Sequence, residues 1–183
     1  MLRLFVALAL PDEVCSSLAG LAGGIPGAKW VPSANYHLTL RFIGEIENWR
    51  AQEVDDALAG IRGAAFDLSL HGLGTFEKAG RIHSLWVGAE RSPALTHLQG
   101  KVETALQRVG LPPERKRFSP HVTIARTDRA PPEKVIAYVQ AHNLFRVAPV
   151  RVECFTLFSS RLGKEASVYT PEVEYDLQTR AAA

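Results

Sequence analysis

The tetrapeptide HLTL occupies residues 37–40, and a matching tetrapeptide, HVTI, occupies residues 121–124. Each alternates polar and apolar residues, which is the pattern of a β-strand with one buried face. This alternation places His37 and Thr39 on one face of the first strand, and His121 and Thr123 on one face of the second. We therefore expect each strand to present an imidazole beside a hydroxyl.

The segments around the two tetrapeptides recur in the same order, which indicates an internal duplication. The tetrapeptides lie 84 residues apart, Phe76 matches Phe158 at an offset of 82, and Trp86 matches Tyr169 at an offset of 83. Two similar units are expected to form two lobes whose corresponding strands face each other across a central cleft.

Hydrophobic periodicity predicts short strands mixed with helices. The predicted helices cover residues 11–22, 48–61, 93–109 and 132–141, and the predicted strands cover 2–8, 37–43, 66–73, 82–88, 121–125, 144–160 and 167–177. Hairpin-linked strands among helices favour the α+β class over a doubly wound parallel sheet. We predict a single bilobal α+β domain over residues 1–183.

The composition of the 183 residues is that of an ordinary globular protein, with 46% hydrophobic and 22% charged residues. The net charge of +2 is too small to predict a nucleic-acid coat, but it allows a local basic cleft. The two cysteines, Cys15 and Cys154, form no CxxC pair, and the sequence contains no P-loop, HExxH or GxSxG motif. These absences argue against a structural zinc and against an ATPase.

No apolar run approaches the roughly 20 residues that span a bilayer. Residues 4–10 faintly imitate a signal peptide, but Pro11, Asp12 and Glu13 follow where a small-residue cleavage site is expected. We therefore predict a buried first strand and a cytoplasmic protein with no membrane association.

Two imidazoles in one cleft suit acid–base catalysis. Histidine titrates near neutral pH, so one ring can be neutral and act as a base while the other is protonated and acts as an acid. In-line displacement at phosphorus needs both, and the threonine hydroxyls could donate to the non-bridging oxygens. A single His-x-Thr pair is more often structural, and it is the symmetric arrangement that favours a catalytic role.

The paired motifs resemble those of the 2H phosphoesterase superfamily. The sequence RLFVAL at residues 3–8, the Phe42-x-Gly44 segment after the first motif and the Phe118-x-Pro120 segment before the second resemble its bacterial and archaeal RNA 2′,3′-cyclic phosphodiesterase branch, historically called 2′-5′ RNA ligase. The resemblance covers essentially the whole chain. It implies a bilobal fold with two pseudo-twofold-related lobes of antiparallel sheet and helices around a groove.

The resemblance also implies an activity and residue roles. RNA 2′,3′-cyclic phosphate ends would be hydrolysed to 2′-phosphomonoesters without metal or cofactor, and 2′-5′ ligation could accompany hydrolysis. His37 would donate a proton to the leaving oxygen, His121 would accept a proton from water, and Thr39 and Thr123 would bind phosphate oxygens. The expected partner is RNA alone, with no obligate protein partner, and the expected state is a monomer.

Two further substrate-binding residues follow from the resemblance, Arg126 for the phosphate and Phe42 for the nucleobase. Strict alternation, however, places Arg126 on the face opposite His121. It places Arg41 on the cleft face of its strand, and it places Phe42 on the opposite face, where packing in the core is as plausible as contact with a nucleobase. A bulge at the strand end could redirect Arg126.

Other interpretations remain open from the sequence. The cations of residues 115–117 could guide an RNA backbone or belong to a solvated loop. The substrate could be another cyclic phosphate, such as an ADP-ribose derivative, or a 2′-5′-linked oligoadenylate, and the protein could instead be a non-catalytic RNA-binding module. A strongly basic groove would favour RNA, whereas a closed neutral pocket would favour a small nucleotide. Trp86 and Tyr169 could stack a base, but aromatic residues in matching strands more often belong to the core. His83 is expected on the surface or in a structural role.

Overall fold

The structure is a computed structural model that describes residues 1–178. The helices are Asp12–Ala19 (α1), Asn48–Ala59 (α2), Pro93–Arg108 (α3) and Pro132–His142 (α4), and the strands are Leu2–Ala9 (β1), Lys29–Trp30 (β2), His37–Ile46 (β3), Phe66–Leu68 (β4), Leu70–Lys78 (β5), Arg81–Ala89 (β6), His121–Arg126 (β7), Val150–Val152 (β8), Cys154–Leu162 (β9) and Ser167–Asp176 (β10).

Two four-stranded antiparallel sheets form the two lobes. The first lobe has the strand order β10-β9-β1-β3, and the second lobe has the order β2-β7-β6-β5. The first motif therefore lies on the edge strand β3, and the second lies on β7. The predicted α+β class and the two-lobed arrangement of antiparallel sheets and helices are confirmed.

The two halves of the chain exchange strands. In the first lobe, β1 of the first half pairs with β9 of the second half, which places β1 and β3 in one sheet with β9 and β10. Strand β6 begins the second half as β1 begins the first, and in the second lobe it pairs with β5 of the first half. A small sheet joins β4 to β8, where Asp67 lies opposite Arg151, its counterpart 84 residues along the chain. The pseudo-twofold axis that relates the two halves therefore passes between Asp67 and Arg151.

Each lobe is closed on its outer side by amphipathic helices. The best example is α3, whose apolar stripe of Leu95, Leu98, Val102 and Leu106 is buried. Pro93 occupies the first turn, and the Ser92 hydroxyl caps the helix by accepting the N–H of Leu95 at 3.2 Å. This helix packs behind β3 and so supports the first motif.

The structure corrects several predicted boundaries. The first helix ends at Ala19 instead of residue 22, and the long strand predicted from residue 144 begins only at Val150 and is divided into β8 and β9. Residues 66–73 likewise divide between β4 and β5. Strand β3 continues past Gly44 to Ile46, because Gly44 adopts a φ of 85° that lets the strand bend without ending.

Candidate active site

A groove of about 700 Å³ lies between β3 and β7. His37, Thr39, His121 and Thr123 all line it, together with Arg126, Phe42 and Tyr169. The structure therefore brings together every site residue that the sequence singled out.

A register shift in each motif strand explains which side chains reach the groove. In β3, Thr39 pairs with Ala7 and Arg41 pairs with Val6, so Leu40 is left without a partner. In β7, Thr123 pairs with Trp86 and Ala125 pairs with Leu85, so Ile124 is left out in the same way. An extra residue of this kind reverses the alternation beyond it.

The reversal corrects the positions expected from strict alternation. Arg126 lies on the groove face with His121, and Phe42 is 47% exposed on the groove wall, where it stacks on Phe5 at 5.6 Å between ring centroids. Arg41 also contributes to the groove lining, but it is only 7% exposed. Its guanidinium forms an ion pair with Glu103 of α3.

Both histidines are held in the same orientation. Nδ1 of His37 lies 2.7 Å from the carbonyl oxygen of Asn35, and Nδ1 of His121 lies 2.6 Å from that of Ser119. A carbonyl can only accept, so Nδ1 carries a hydrogen and donates it in each case. Nε2 is then the ring nitrogen left for proton transfer with a ligand.

Aromatic rings surround each imidazole. His37 lies against Phe5 at 4.9 Å and against the edge of Tyr169 at 5.2 Å. His121 lies against Phe76 at 4.8 Å and Trp86 at 5.8 Å. These contacts restrict both rings and shield them from water.

The surroundings lower the pKa of both histidines. For His37, burial lowers the pKa, the hydrogen bond to Asn35 opposes that effect, and the neighbouring His121 lowers it further. For His121, burial again lowers the pKa against the hydrogen bond to Ser119, and the charge of Arg126 adds to the lowering. Both rings are consequently biased towards the neutral form.

The sequence prediction missed several residues of the site. The core was the favoured position for Trp86 and Tyr169, yet each contacts a motif histidine. Trp86 lies on β6 in the position that Phe5 occupies on β1, so the match of Trp86 with Tyr169 at an offset of 83 is wrong. Tyr169 lies on β10, outside β9, and no strand takes the corresponding place beyond β5 within residues 1–178. His83 also lines the groove, near Phe76. Only the pairing of the strands reveals these positions.

The groove carries more cations than anions on its exposed lining. The exposed lining includes the cations Lys116, Arg117 and Arg126 and the carboxylates of Glu77 and Glu114. The groove is therefore moderately basic, which fits a phosphate ligand better than a neutral one.

Among the residues that the structure describes, no three His, Cys, Asp or Glu side chains are grouped as ligands for a metal ion. No helix in the same range combines the length and apolarity needed to cross a membrane.

Comparisons with known proteins agree with the geometry. A sequence model of the 2′-5′ RNA ligase superfamily matches residues 10–164. The chain is 34% identical over 148 residues to an RNA 2′,3′-cyclic phosphodiesterase of Aeropyrum pernix, covering 80% of this chain and 84% of that relative. The crystal structure of TT0787 from Thermus thermophilus has a TM-score of 0.81 at 26% identity, covering 98% of this chain and 100% of that one. Escherichia coli LigT in complex with 3′-AMP has a TM-score of 0.78 at 26% identity, with coverage of 96% and 98%.

Proposed function

Because the chain belongs to the 2′-5′ RNA ligase superfamily, we propose that it hydrolyses the 2′,3′-cyclic phosphate ends of RNA to 2′-phosphomonoesters. The observation that carries the proposal is the presence of two His-x-Thr pairs in one groove, one from each lobe. Relatives of this chain are named for cyclic phosphodiesterase activity on RNA, and the complex of E. coli LigT holds a nucleoside monophosphate.

The two histidines divide the proton transfers. Nε2 of His121 takes a proton from water as the water oxygen bonds to phosphorus, and His37 gives a proton to the 3′ oxygen as its bond to phosphorus breaks. The phosphate stays on the 2′ oxygen, which defines the product. Arg126 supports this assignment because its charge favours the neutral form of His121 that a base requires.

The remaining site residues bind the substrate. Thr39 and Thr123 donate to the non-bridging phosphate oxygens, where charge is concentrated in the transition state. Arg126 adds a cation on the second-lobe side, and the exposed ring of Phe42 offers a stacking surface for the terminal base on the first-lobe side. A 5′-hydroxyl in place of the water would give a 2′-5′ linkage with the same proton transfers, so the groove also suits ligation.

The test is turnover of an oligoribonucleotide ending in a 2′,3′-cyclic phosphate, in the presence of EDTA, with identification of the product isomer. We expect a 2′-phosphate product, and we expect His37→Ala and His121→Ala each to reduce kcat by about 10² to 10⁴, the usual contribution of a positioned acid or base. His97→Ala is the matched control, because His97 is exposed on α3 outside the groove.

Near-normal turnover by either motif variant would contradict the two-histidine mechanism. Loss of activity in EDTA that added metal restores would contradict its metal independence. Tight RNA binding without turnover would favour a binding module instead, and turnover of a different cyclic phosphate alone would correct the substrate.

A further inference from the structure

A basic segment borders the groove in front of the second motif. The segment of residues 112–118, here called the basic loop, carries three consecutive cations at 115–117. Lys116 and Arg117 line the groove, whereas Arg115 does not. Lys116 and Arg117 are exposed, and neither belongs to an ion pair within residues 1–178. Both charges are therefore available to a ligand.

A largely buried ion pair holds the basic loop from beneath. The Arg41 guanidinium donates to the carbonyl oxygen of Pro112, and the Glu103 carboxylate accepts the backbone N–H of Glu114 at 2.8 Å. The Arg41 and Glu103 side chains are only 7% and 17% exposed, and they bond to each other. Arg91 adds a further contact, because its guanidinium donates to the carbonyl oxygen of Phe118.

Such a tether fixes the loop before any ligand arrives. A loop anchored at both ends loses less conformational entropy on binding than a mobile one. A buried ion pair is a costly way to gain stability alone, since its desolvation offsets much of its attraction. The bonds of Arg41 and Glu103 to loop backbone atoms give this pair a second role, which is to position the loop.

The basic loop also lies close to the reacting centre. It leads directly into Ser119, whose carbonyl orients His121. Arg117 precedes His121 by four residues, so their Cα atoms are at most about 14 Å apart even in a fully extended chain. The two groove cations can therefore reach phosphates that lie on the 5′ side of a cyclic end bound at His121.

We propose that Lys116 and Arg117 bind the phosphodiester backbone of an RNA strand on the 5′ side of its reacting end, with Arg41 and Glu103 as positioning residues for the basic loop. The substrate is then an oligoribonucleotide in preference to a mononucleoside cyclic phosphate, which has no upstream phosphate. This inference rests on the proposed function and specifies its substrate class.

The experiment compares two substrates, a short oligoribonucleotide ending in a 2′,3′-cyclic phosphate and adenosine 2′,3′-cyclic phosphate. Exposed cation–phosphate contacts contribute about three- to fivefold each, so Lys116→Ala/Arg117→Ala is expected to raise KM for the oligoribonucleotide by about tenfold. KM for the mononucleotide, and kcat for both substrates, should stay within about twofold of the wild-type values. The slope of log KM against log salt for the oligoribonucleotide should fall by about 1.4, as two lost single-strand phosphate contacts require.

Two further comparisons test the geometry. Arg117→Ala and Arg115→Ala remove the same charge from neighbouring positions, and only Arg117→Ala is expected to raise KM for the oligoribonucleotide. Arg41→Met/Glu103→Leu replaces the ion pair by apolar side chains, which keeps the interior packed but releases the loop. It should raise KM for the oligoribonucleotide and leave kcat on the mononucleotide near the wild-type value, a split that a merely structural role would not produce.

An equal effect of Arg115→Ala and Arg117→Ala would overturn the proposal, because it would identify the segment as a solvated loop acting through net charge. An unchanged KM in the double alanine variant, or an equal rise for the mononucleotide, would overturn it as well. Wild-type protein that cleaves neither substrate would overturn the proposed function and this inference with it. Wild-type protein that cleaves both equally well would leave the proposed function standing and overturn the inference alone.

Discussion

At the scale of single residues, the two imidazoles determine the pH at which the groove can work. His121 must be neutral to accept a proton, and His37 must be protonated to donate one. Burial lowers the pKa of both rings below the ordinary value of 6.5. We therefore expect kcat/KM to be bell-shaped with its maximum below pH 6.5, the optimum that two unperturbed histidines would give.

Arg126 provides the variant for this prediction. Its charge lowers the pKa of His121, so Arg126→Ala should raise that pKa and move the acid limb of kcat/KM to higher pH. Arg126→Ala also removes a proposed phosphate contact, which would lower kcat/KM at every pH. The measurement is therefore the pH at which the acid limb lies, not the height of the profile. Arg115→Ala, which removes a cation outside the groove lining, should leave the limb in place. If the acid limb of Arg126→Ala lies at the same pH as that of the wild-type protein, the charge of Arg126 does not influence His121 as we propose.

The sequence was sufficient to predict that the four motif side chains line one groove, because alternation holds from His37 to Thr39 and from His121 to Thr123. It was insufficient for the next residues along each strand. After each motif threonine, two consecutive residues are buried: Leu40 and Arg41 in β3, and Ile124 and Ala125 in β7. In the sequence, the consecutive apolar residues at 124–125 were the only hint of a bulge. Whether such a pair bends a strand depends on its neighbour, so the register had to be observed.

At the scale of the elements, close packing between β5 and β6 places Trp86 against His121. Gly74 lies opposite Trp86 in the pairing of these strands, and a Cβ at Gly74 would lie 2.2 Å from the indole ring. Gly74→Ala must therefore displace Trp86, which contacts His121. We expect kcat/KM to fall by up to about 10², the effect of misplacing a catalytic group by about 1 Å, and overpacking to cost about 1–3 kcal/mol of unfolding free energy.

Gly100→Ala is the matched control for that variant. Gly100 lies in α3, and a Cβ there meets no atom within 4 Å. Alanine in an open helical position should raise the free energy of unfolding by about 0.5–1 kcal/mol and leave turnover unchanged. Wild-type kcat/KM in Gly74→Ala, measured beside this control, would show that the ring of Trp86 does not help to position His121.

At the scale of the whole molecule, the exchange of strands makes the two lobes interdependent. Each sheet contains strands from both halves of the chain, and β4 and β8 join the halves at Asp67 and Arg151. The repeat in the sequence predicted two similar lobes, but it could not reveal this exchange, because the same repeated pattern is compatible with two separate sheets. The exchange places β3 and β7, and with them both histidines, in sheets that each contain strands from both halves of the chain.

Folding therefore buries both imidazoles together, and this has a consequence for stability. Their pKa values are lower in the folded state than the ordinary value of 6.5, so the unfolded chain binds more protons below pH 6.5. The free energy of unfolding should fall as the pH drops through 6.5 towards the lowered pKa values, and the effect should fade as the pH rises above 6.5. Burial raises the carboxyl pKa of Glu103, but its hydrogen bonds and the charge of Arg41 outweigh that effect and lower the pKa below the ordinary value of 4.5, so this group stays ionised from pH 7.5 down to pH 5.5.

Denaturant unfolding at pH 7.5 and pH 5.5 measures this effect. His37→Gln/His121→Gln removes both buried imidazoles, so it should lose less unfolding free energy between the two pH values than the wild-type protein does. His97→Gln replaces an imidazole that is already exposed and should follow the wild-type protein. Equal losses in the wild-type protein and the double variant would mean that folding does not desolvate the histidines, and would remove the physical basis of the acidic optimum as well. A smaller loss in the double variant would instead show that the groove is maintained at a cost in acid stability that the rest of the fold offsets.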